Sequence, residues 1–137
     1  MDNRIRVVVA DDQERFVRSL EQLLPELSGG RATVVATAGE TGQATRAVRE
    51  AVPDLVLAGL HLPPGGGARA ISAIREAAPR ARVVAVAADD DPGPVLEAIR
   101  AGAVGCLRTA ARPRNRRARR SRSPATRPRS GRRSRQA

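Results

Sequence analysis

Five short apolar runs, separated by four stretches with helical spacing, constrain the fold more than any other feature of this sequence. The runs begin near residues 5, 32, 54, 81 and 104. Each is short and strongly apolar, which is typical of strands buried on both faces. Strands that alternate with helices through short connections predict a parallel sheet with helices on both faces. We therefore expect a doubly wound α/β domain with five parallel strands.

The stretches between the runs carry helix start and stop signals. The predicted helices cover about residues 16–27, 41–51, 68–78 and 92–100. In the last of them Asp91 is placed to cap the helix, Pro92 takes its first position and Gly102 ends it. No periodic apolar pattern follows Leu107, so the sequence predicts no fifth helix.

Charge divides the chain into two parts. All 14 acidic residues lie at or before Glu97, whereas residues 108–137 contain 13 of the 25 basic residues, every one of them Arg. Residues 1–107 therefore sum to 12 − 14 = −2, and the last thirty residues to +13. Arg, Pro, Ser, Ala and Gly without apolar periodicity are typical of disorder. We expect a domain at residues 1–107 and a disordered Arg-rich tail at 108–137.

The remaining composition excludes several classes of protein. The single Cys rules out an internal disulfide and a cysteine-based metal cluster. With one His and one Cys, no Ser-His-Asp or Cys-His set can be assembled, so we expect a protein without enzymatic activity. No run approaches the ~20 apolar residues of a membrane helix, and no signal segment precedes the first strand. The sequence predicts a cytoplasmic protein that makes no membrane contact.

The residues at the ends of the predicted strands resemble those of a known family. Ligands bind at the carboxyl ends of the strands in open parallel sheets, and Asp11, Asp12 and Gly59 fall at that edge. The ordered set resembles the receiver domain of bacterial response regulators, closest to the LuxR (NarL-like) type. The matching stretches are residues 5–12, 53–57, 62–63 with Gly67, and 96–105. The resemblance implies a flavodoxin-like fold.

The resemblance also assigns a role to each position at this edge. In active receivers an acid pair and a phospho-accepting Asp bind Mg²⁺, a cation that prefers oxygen ligands. The pair is kept as Asp11 and Asp12, but the acceptor position is Gly59. The family's Thr or Ser, its aromatic and its Lys fall on Ala87, Cys106 and Thr109, respectively. We therefore expect a receiver that cannot be phosphorylated, with no cofactor beyond weak Mg²⁺ at the acid pair.

No other residue is expected to replace the missing acceptor. Asp54 lies five residues before Gly59, about 16 Å away at the opposite end of the strand. Asp89–Asp91 are expected to cap a helix, and His61 to be a solvated loop residue. The glycines at 65–67 lack the Lys of a phosphate-binding loop. Cys106 is expected to be a small buried apolar residue.

The resemblance implies a degenerate receiver module of a two-component phosphorelay system, a remnant of a LuxR-type transcriptional regulator. No helix-turn-helix pattern follows the domain. Without a fifth helix, strands four and five should expose apolar side chains on the sheet face that the first helix shares, and this surface should be available to a protein partner or to self-association. The alternative is a small nucleic-acid-binding protein that uses its tail without sequence specificity. An out-of-frame product and an inert segment are the two other interpretations of that tail. The candidate nucleic-acid contacts are Arg112, Arg114, Arg116, Arg117, Arg119, Arg120 and Arg122.

Overall fold

The computed structural model describes residues 4–89 and 91–109. The expected disorder of the tail lies outside these residues, apart from its first two positions. The seven candidate nucleic-acid contacts and Asp90 also lie outside them. Among the described helices, none is long and apolar enough to cross a membrane.

Five parallel strands form one sheet, as the sequence predicted. They are β1 (Ile5–Ala10), β2 (Ala32–Ala38), β3 (Leu55–Gly59), β4 (Arg82–Ala87) and β5 (Gly105–Arg108). The strand order is β2-β1-β3-β4-β5. This is the order of flavodoxin-like folds, in which ligands bind at the carboxyl edge where the strand order reverses. Strands β1, β2 and β4 are rich in β-branched residues, whose side chains pack well on a pleated surface.

Four helices connect the strands, with bounds within two residues of those predicted. They are α1 (Glu14–Leu27), α2 (Thr41–Ala51), α3 (Gly67–Ala77) and α4 (Pro92–Ala101). The Asp91 carboxylate accepts the Gly93 N–H at 3.1 Å and caps α4, as predicted. Gly102 ends this helix with φ +117°, a left-handed conformation that glycine adopts without a steric penalty.

Alternate side chains of the strands build two apolar layers. Helices α2, α3 and α4 cover one face, where Val8, Val56 and Ile71 are fully buried. The other face packs against α1, whose Val17 joins Val7. Because successive residues of a strand point to opposite faces, a continuous apolar run contributes buried side chains to both layers.

The α1 face is less open at β4 than the sequence suggested. Leu107 on β5 is 52% exposed, and none of the described helices covers it. Val86 on β4 is only 3% exposed and belongs to the same apolar cluster as Val17. The expectation that both strands expose their apolar side chains was therefore too broad. Within the described residues, the exposure on this face is greatest at β5.

Candidate functional site

The four positions singled out by the sequence lie together at the carboxyl edge of the sheet. Asp11 follows β1 and lies against Gly59, the last residue of β3. Gly59 is paired with β4. The Thr109 N–H donates to the Ala87 carbonyl at 2.9 Å, which joins the ends of β4 and β5. The structure thus brings Asp11, Gly59, Ala87 and Thr109 into one region.

Asp11 is a buried carboxylate with a fixed orientation. Only 4% of the Asp11 residue is exposed to solvent. Its backbone N–H donates to the Ala38 carbonyl at 2.9 Å, which extends the pairing of β1 with β2. Its Oδ1 accepts the Gln13 N–H at 2.8 Å, the local turn that Asp side chains often make two residues ahead. Sequence reasoning missed Gln13, although this two-residue Asx spacing was visible in the sequence.

The Asp11 carboxyl group packs against the Cα atom of Gly59. A Cβ atom built on Gly59 would lie 2.9 Å from Asp11 Cγ and closer still to Oδ2. Real Cβ atoms essentially never show separations below 3.0 Å. A side chain at position 59 would therefore require the Asp11 carboxyl group, the flexible end of its side chain, to turn away.

The residues present do not fit the Mg²⁺ site of an active receiver. Asp12 is exposed whereas Asp11 is buried, so the two carboxylates have different surroundings. Position 59 supplies no oxygen ligand from a side chain. In the described parts of the chain, no three His, Cys, Asp or Glu side chains are grouped to hold a metal ion. Mg²⁺ prefers six oxygen ligands in near-octahedral geometry, so any binding by Asp11 and Asp12 stays a prediction of a weak site.

Ala87 and Thr109 supply no cationic group at this edge. Ala87 is 1% exposed and has only a methyl side chain. The Thr109 hydroxyl lies 3.4 Å from the Ala87 carbonyl, to which it donates. This places a hydroxyl near the position of the family's Thr or Ser, although it belongs to the residue after β5 and points to the backbone. The family has a Lys ammonium group at this position, and Thr109 carries a hydroxyl instead.

Cys106 is only partly buried, whereas the sequence predicted a buried residue. It packs against the apolar layer covered by α2, α3 and α4. Its Sγ lies 3.8 Å from the Leu107 carbonyl oxygen. Burial raises the pKa of the Cys106 thiol, against smaller opposing effects of the Arg108 charge and a hydrogen bond with the Ala87 backbone. The thiol is therefore protonated at neutral pH and is a poor nucleophile.

The other candidate side chains lie where the sequence placed them. Asp54 is at the opposite edge, where its Oδ2 accepts the Arg6 N–H at 2.8 Å. Asp89 accepts the Asp91 N–H at 3.0 Å, within the turn that leads into α4. His61 is exposed in the turn after β3.

The glycine-rich loop after β3 has a structural role. Gly67 donates its N–H to the Leu60 carbonyl at 2.8 Å. A Cβ atom on Gly67 would lie 2.7 Å from Leu60 Cα, which is backbone and cannot move aside. Glycine at position 67 therefore allows α3 to begin directly against the end of β3.

The chain is similar to known regulatory proteins over most of its length. Residues 7–116 match the family model described as "Response regulator receiver domain". The "Probable transcriptional regulatory protein NarL" of Mycobacterium tuberculosis is 33% identical over 104 residues, which are 76% of this chain and 47% of that protein. "Response regulator GacA" of Pseudomonas viridiflava is 32% identical over 104 residues, 75% of this chain and 47% of that protein. The match thus spans about half the length of these relatives.

Solved structures show the same fold. A "two-component response regulator, LuxR family, from Aurantimonas sp. SI85-9A1" superimposes with a TM-score of 0.71 and 28% identity, covering 87% of this chain and 84% of that one. The signal receiver domain of "the putative response regulator NarL from Mycobacterium tuberculosis" gives a TM-score of 0.71 with 31% identity, covering 80% and 87%. These similarities agree with the resemblance seen in the sequence.

Proposed function

Because the chain belongs to the response regulator receiver domain family, we propose that it is a receiver module that accepts no phosphoryl group and acts through non-covalent contacts. The observation that carries this proposal is Gly59, which stands at the end of β3 where the family has its acceptor carboxylate. The relatives named as LuxR-type and transcriptional regulators support an origin in that group of two-component proteins.

Phosphoryl transfer to a receiver requires a carboxylate oxygen that attacks phosphorus, and Gly59 has no side chain to supply one. The nearest described carboxylate is Asp11, which is buried and accepts the Gln13 N–H. The developing charge on the phosphoryl oxygens would also need donors fixed at the correct positions. Ala87 offers none, and Thr109 directs its hydroxyl to a backbone carbonyl.

Intact mass measurement after incubation with acetyl phosphate and Mg²⁺ tests this proposal. The protein should show no phosphoryl increment, while a phosphorylatable receiver mixed into the same tube should show one. An increment on the protein that disappears after treatment with hydroxylamine would indicate an acyl phosphate and contradict the proposal. Peptide mapping would then identify the carboxylate that replaces the acceptor.

A module that accepts no phosphoryl group would act by binding a protein partner or a second copy of the chain. The exposed Leu107 on β5, beside the half-buried Val84 on β4, offers an apolar contact on the face that α1 covers only in part. Burial of apolar surface is the main favourable term in most protein association. We therefore propose that self-association or partner binding uses the β5 side of this face, without enzymatic chemistry.

The Arg-rich segment supports a second candidate function. Residues 108–137 contain 13 Arg and no acidic residue, which favours contact with a phosphate backbone. This segment has no aromatic side chain on which bases could stack. Arginine contacts to phosphate carry no sequence information. The second candidate is therefore binding of nucleic acid without sequence preference, which the salt dependence of binding would test.

A further inference from the structure

We infer that an apolar surface formed by Val84, Gly105 and Leu107, the β4–β5 surface, binds an amphipathic helix of a partner protein whose polar side is acidic. The inference rests on the proposed function, in which a receiver that accepts no phosphoryl group acts through non-covalent contacts, and it names the chemistry of the partner. It follows from the width of the surface, the composition of the segment after it and the charge beside it.

The β4–β5 surface is the part of its sheet face that α1 leaves uncovered. Helix α1 packs beside β2, which is at the opposite edge of the sheet from β5. Val84 is half-buried, Leu107 is 52% exposed, and a Cβ atom on Gly105 would meet nothing within 4 Å. Val84 pairs with Gly105 and Val86 pairs with Leu107, so these four positions lie on one face.

The width of this surface fits one helix. Neighbouring strands lie about 4.8 Å apart, so β4 and β5 together are roughly 10 Å wide. An α-helix with its side chains has a diameter of about 10–12 Å. A helix with apolar residues three and four positions apart presents them as one stripe, which can contact Leu107 and Val84 while the opposite side stays in solvent. The surface therefore suits an amphipathic helix.

The segment that follows β5 has no large apolar side chain with which to cover this surface. Residues 110–137 contain no Val, Leu, Ile, Met or aromatic residue, and their only apolar side chains are those of Ala and Pro. The favourable free energy of such a contact is roughly proportional to the apolar area that is buried, and Ala offers little area. The apolar cover is therefore expected from another molecule.

Charge decides between a second copy of the chain and an acidic partner. Arg108 follows Leu107 directly, and residues 108–137 carry 13 Arg and no acidic residue. A contact between two copies through Leu107 would bring two such segments close together, where like charges repel. A partner with Glu or Asp beside its apolar residues would instead attract these arginines and suppress pairing with the wrong molecule. Charge complementarity thus favours the acidic partner.

Titration of the full-length chain with a fluorescent model peptide tests the inference. The probe is an amphipathic helix with Leu on one side and Glu on the other, and fluorescence anisotropy reports its binding. A peptide with Gln in place of Glu should bind about ten-fold more weakly, because it loses several charge contacts. A scrambled version of the Glu peptide, without the apolar stripe, should also bind more weakly. Equal binding of either control peptide would overturn the inference.

Two leucine variants with the same uncharged change test the surface itself. Leu107→Ser should weaken binding of the Glu peptide roughly five-fold, because less apolar area is buried. Leu96→Ser is the matched control, since Leu96 is 56% exposed on α4, which covers the other face of the sheet. It should leave binding unchanged, and both variants should melt with the wild type because both leucines are exposed. Equal effects of the two variants would overturn the inference.

Sedimentation of the chain without peptide tests the alternative occupant. The chain should be a monomer, and a dimer that Leu107→Ser dissociates would assign the surface to a second copy and overturn the inference. None of these measurements uses a phosphoryl donor. A failure here is thus distinguishable from phosphorylation of the wild type, which would contradict the proposed function instead.

Discussion

Replacing Gly59 with Asp should destabilise the domain instead of repairing it. The new side chain would enter the space held by the Asp11 carboxyl group. The displaced atoms are the end of a flexible side chain, so the steric cost is small. Two carboxylates about 4 Å apart repel by roughly 4 kcal/mol at an effective dielectric constant of 20, unless one of them takes up a proton. We expect a loss of about 4 kcal/mol at pH 7, a large part of the ~5–15 kcal/mol that stabilises a typical domain.

A thermal melt followed by circular dichroism measures this loss. For a domain of this size, each kcal/mol lowers Tm by about 4–8 °C. Gly59→Asn is the matched control, because it adds nearly the same volume without the charge. At pH 7 the Asp variant should melt below the Asn variant, and both should melt below the wild type.

The difference between these two variants should shrink as the pH falls. Repulsion between neighbouring carboxylates raises the pKa of one of them in the folded state. The folded Asp variant then binds more protons than the unfolded chain, so its stability falls as pH rises and recovers as pH is lowered. An Asp variant as stable as the wild type at pH 7 would refute the reasoning. So would a large gain in its Tm with Mg²⁺, because that gain would mean the three acids form a metal site.

Three further changes test other parts of the account. Gly67→Ala should cost more free energy of unfolding in urea than Gly105→Ala, because only the first meets the Leu60 backbone. If the exposed Leu107 mediates self-association, Leu107→Glu should weaken it by light scattering, and Leu27→Glu on the exposed end of α1 should not. If the tail contacts about six phosphates of a nucleic acid, the logarithm of the association constant should fall with the logarithm of the salt concentration, with a slope of about −5. Truncation after Thr109 should abolish that binding, and binding that survives truncation would assign it to the domain.

The fold could be predicted because its signals are local and repeated. Each strand is a short apolar run, and α4 carries its own cap and stop at Asp91 and Gly102. The parallel sheet and its carboxyl edge followed from the alternation of strands with helices, whereas the flavodoxin-like fold was implied by the resemblance to receiver domains. The places of Gly59, Ala87 and Thr109 at this edge could also be predicted, because each follows from its position at the end of a strand.

The details that the sequence did not reveal depend on side-chain packing between distant residues. The contact of Asp11 with Gly59 joins two strands, and no spacing along the chain encodes which way a carboxyl group turns. Val86 is more buried than predicted because it joins the apolar cluster that packs against α1, whereas Leu107 on β5 does not. Cys106 was expected to be buried, but the strand that carries it lies at the edge of the described sheet, so it stays partly exposed.

Labelling with radioactive acetyl phosphate in the presence of Mg²⁺ tests the central claim most directly. The wild type should be compared with the triple variant Gly59→Asp, Ala87→Thr, Thr109→Lys, which restores the family's residues at three positions. The account predicts that the wild type takes up no hydroxylamine-labile label, because position 59 supplies no attacking oxygen. Label of this kind on the wild type, at Asp11, Asp12 or any other carboxylate of the domain, would contradict it.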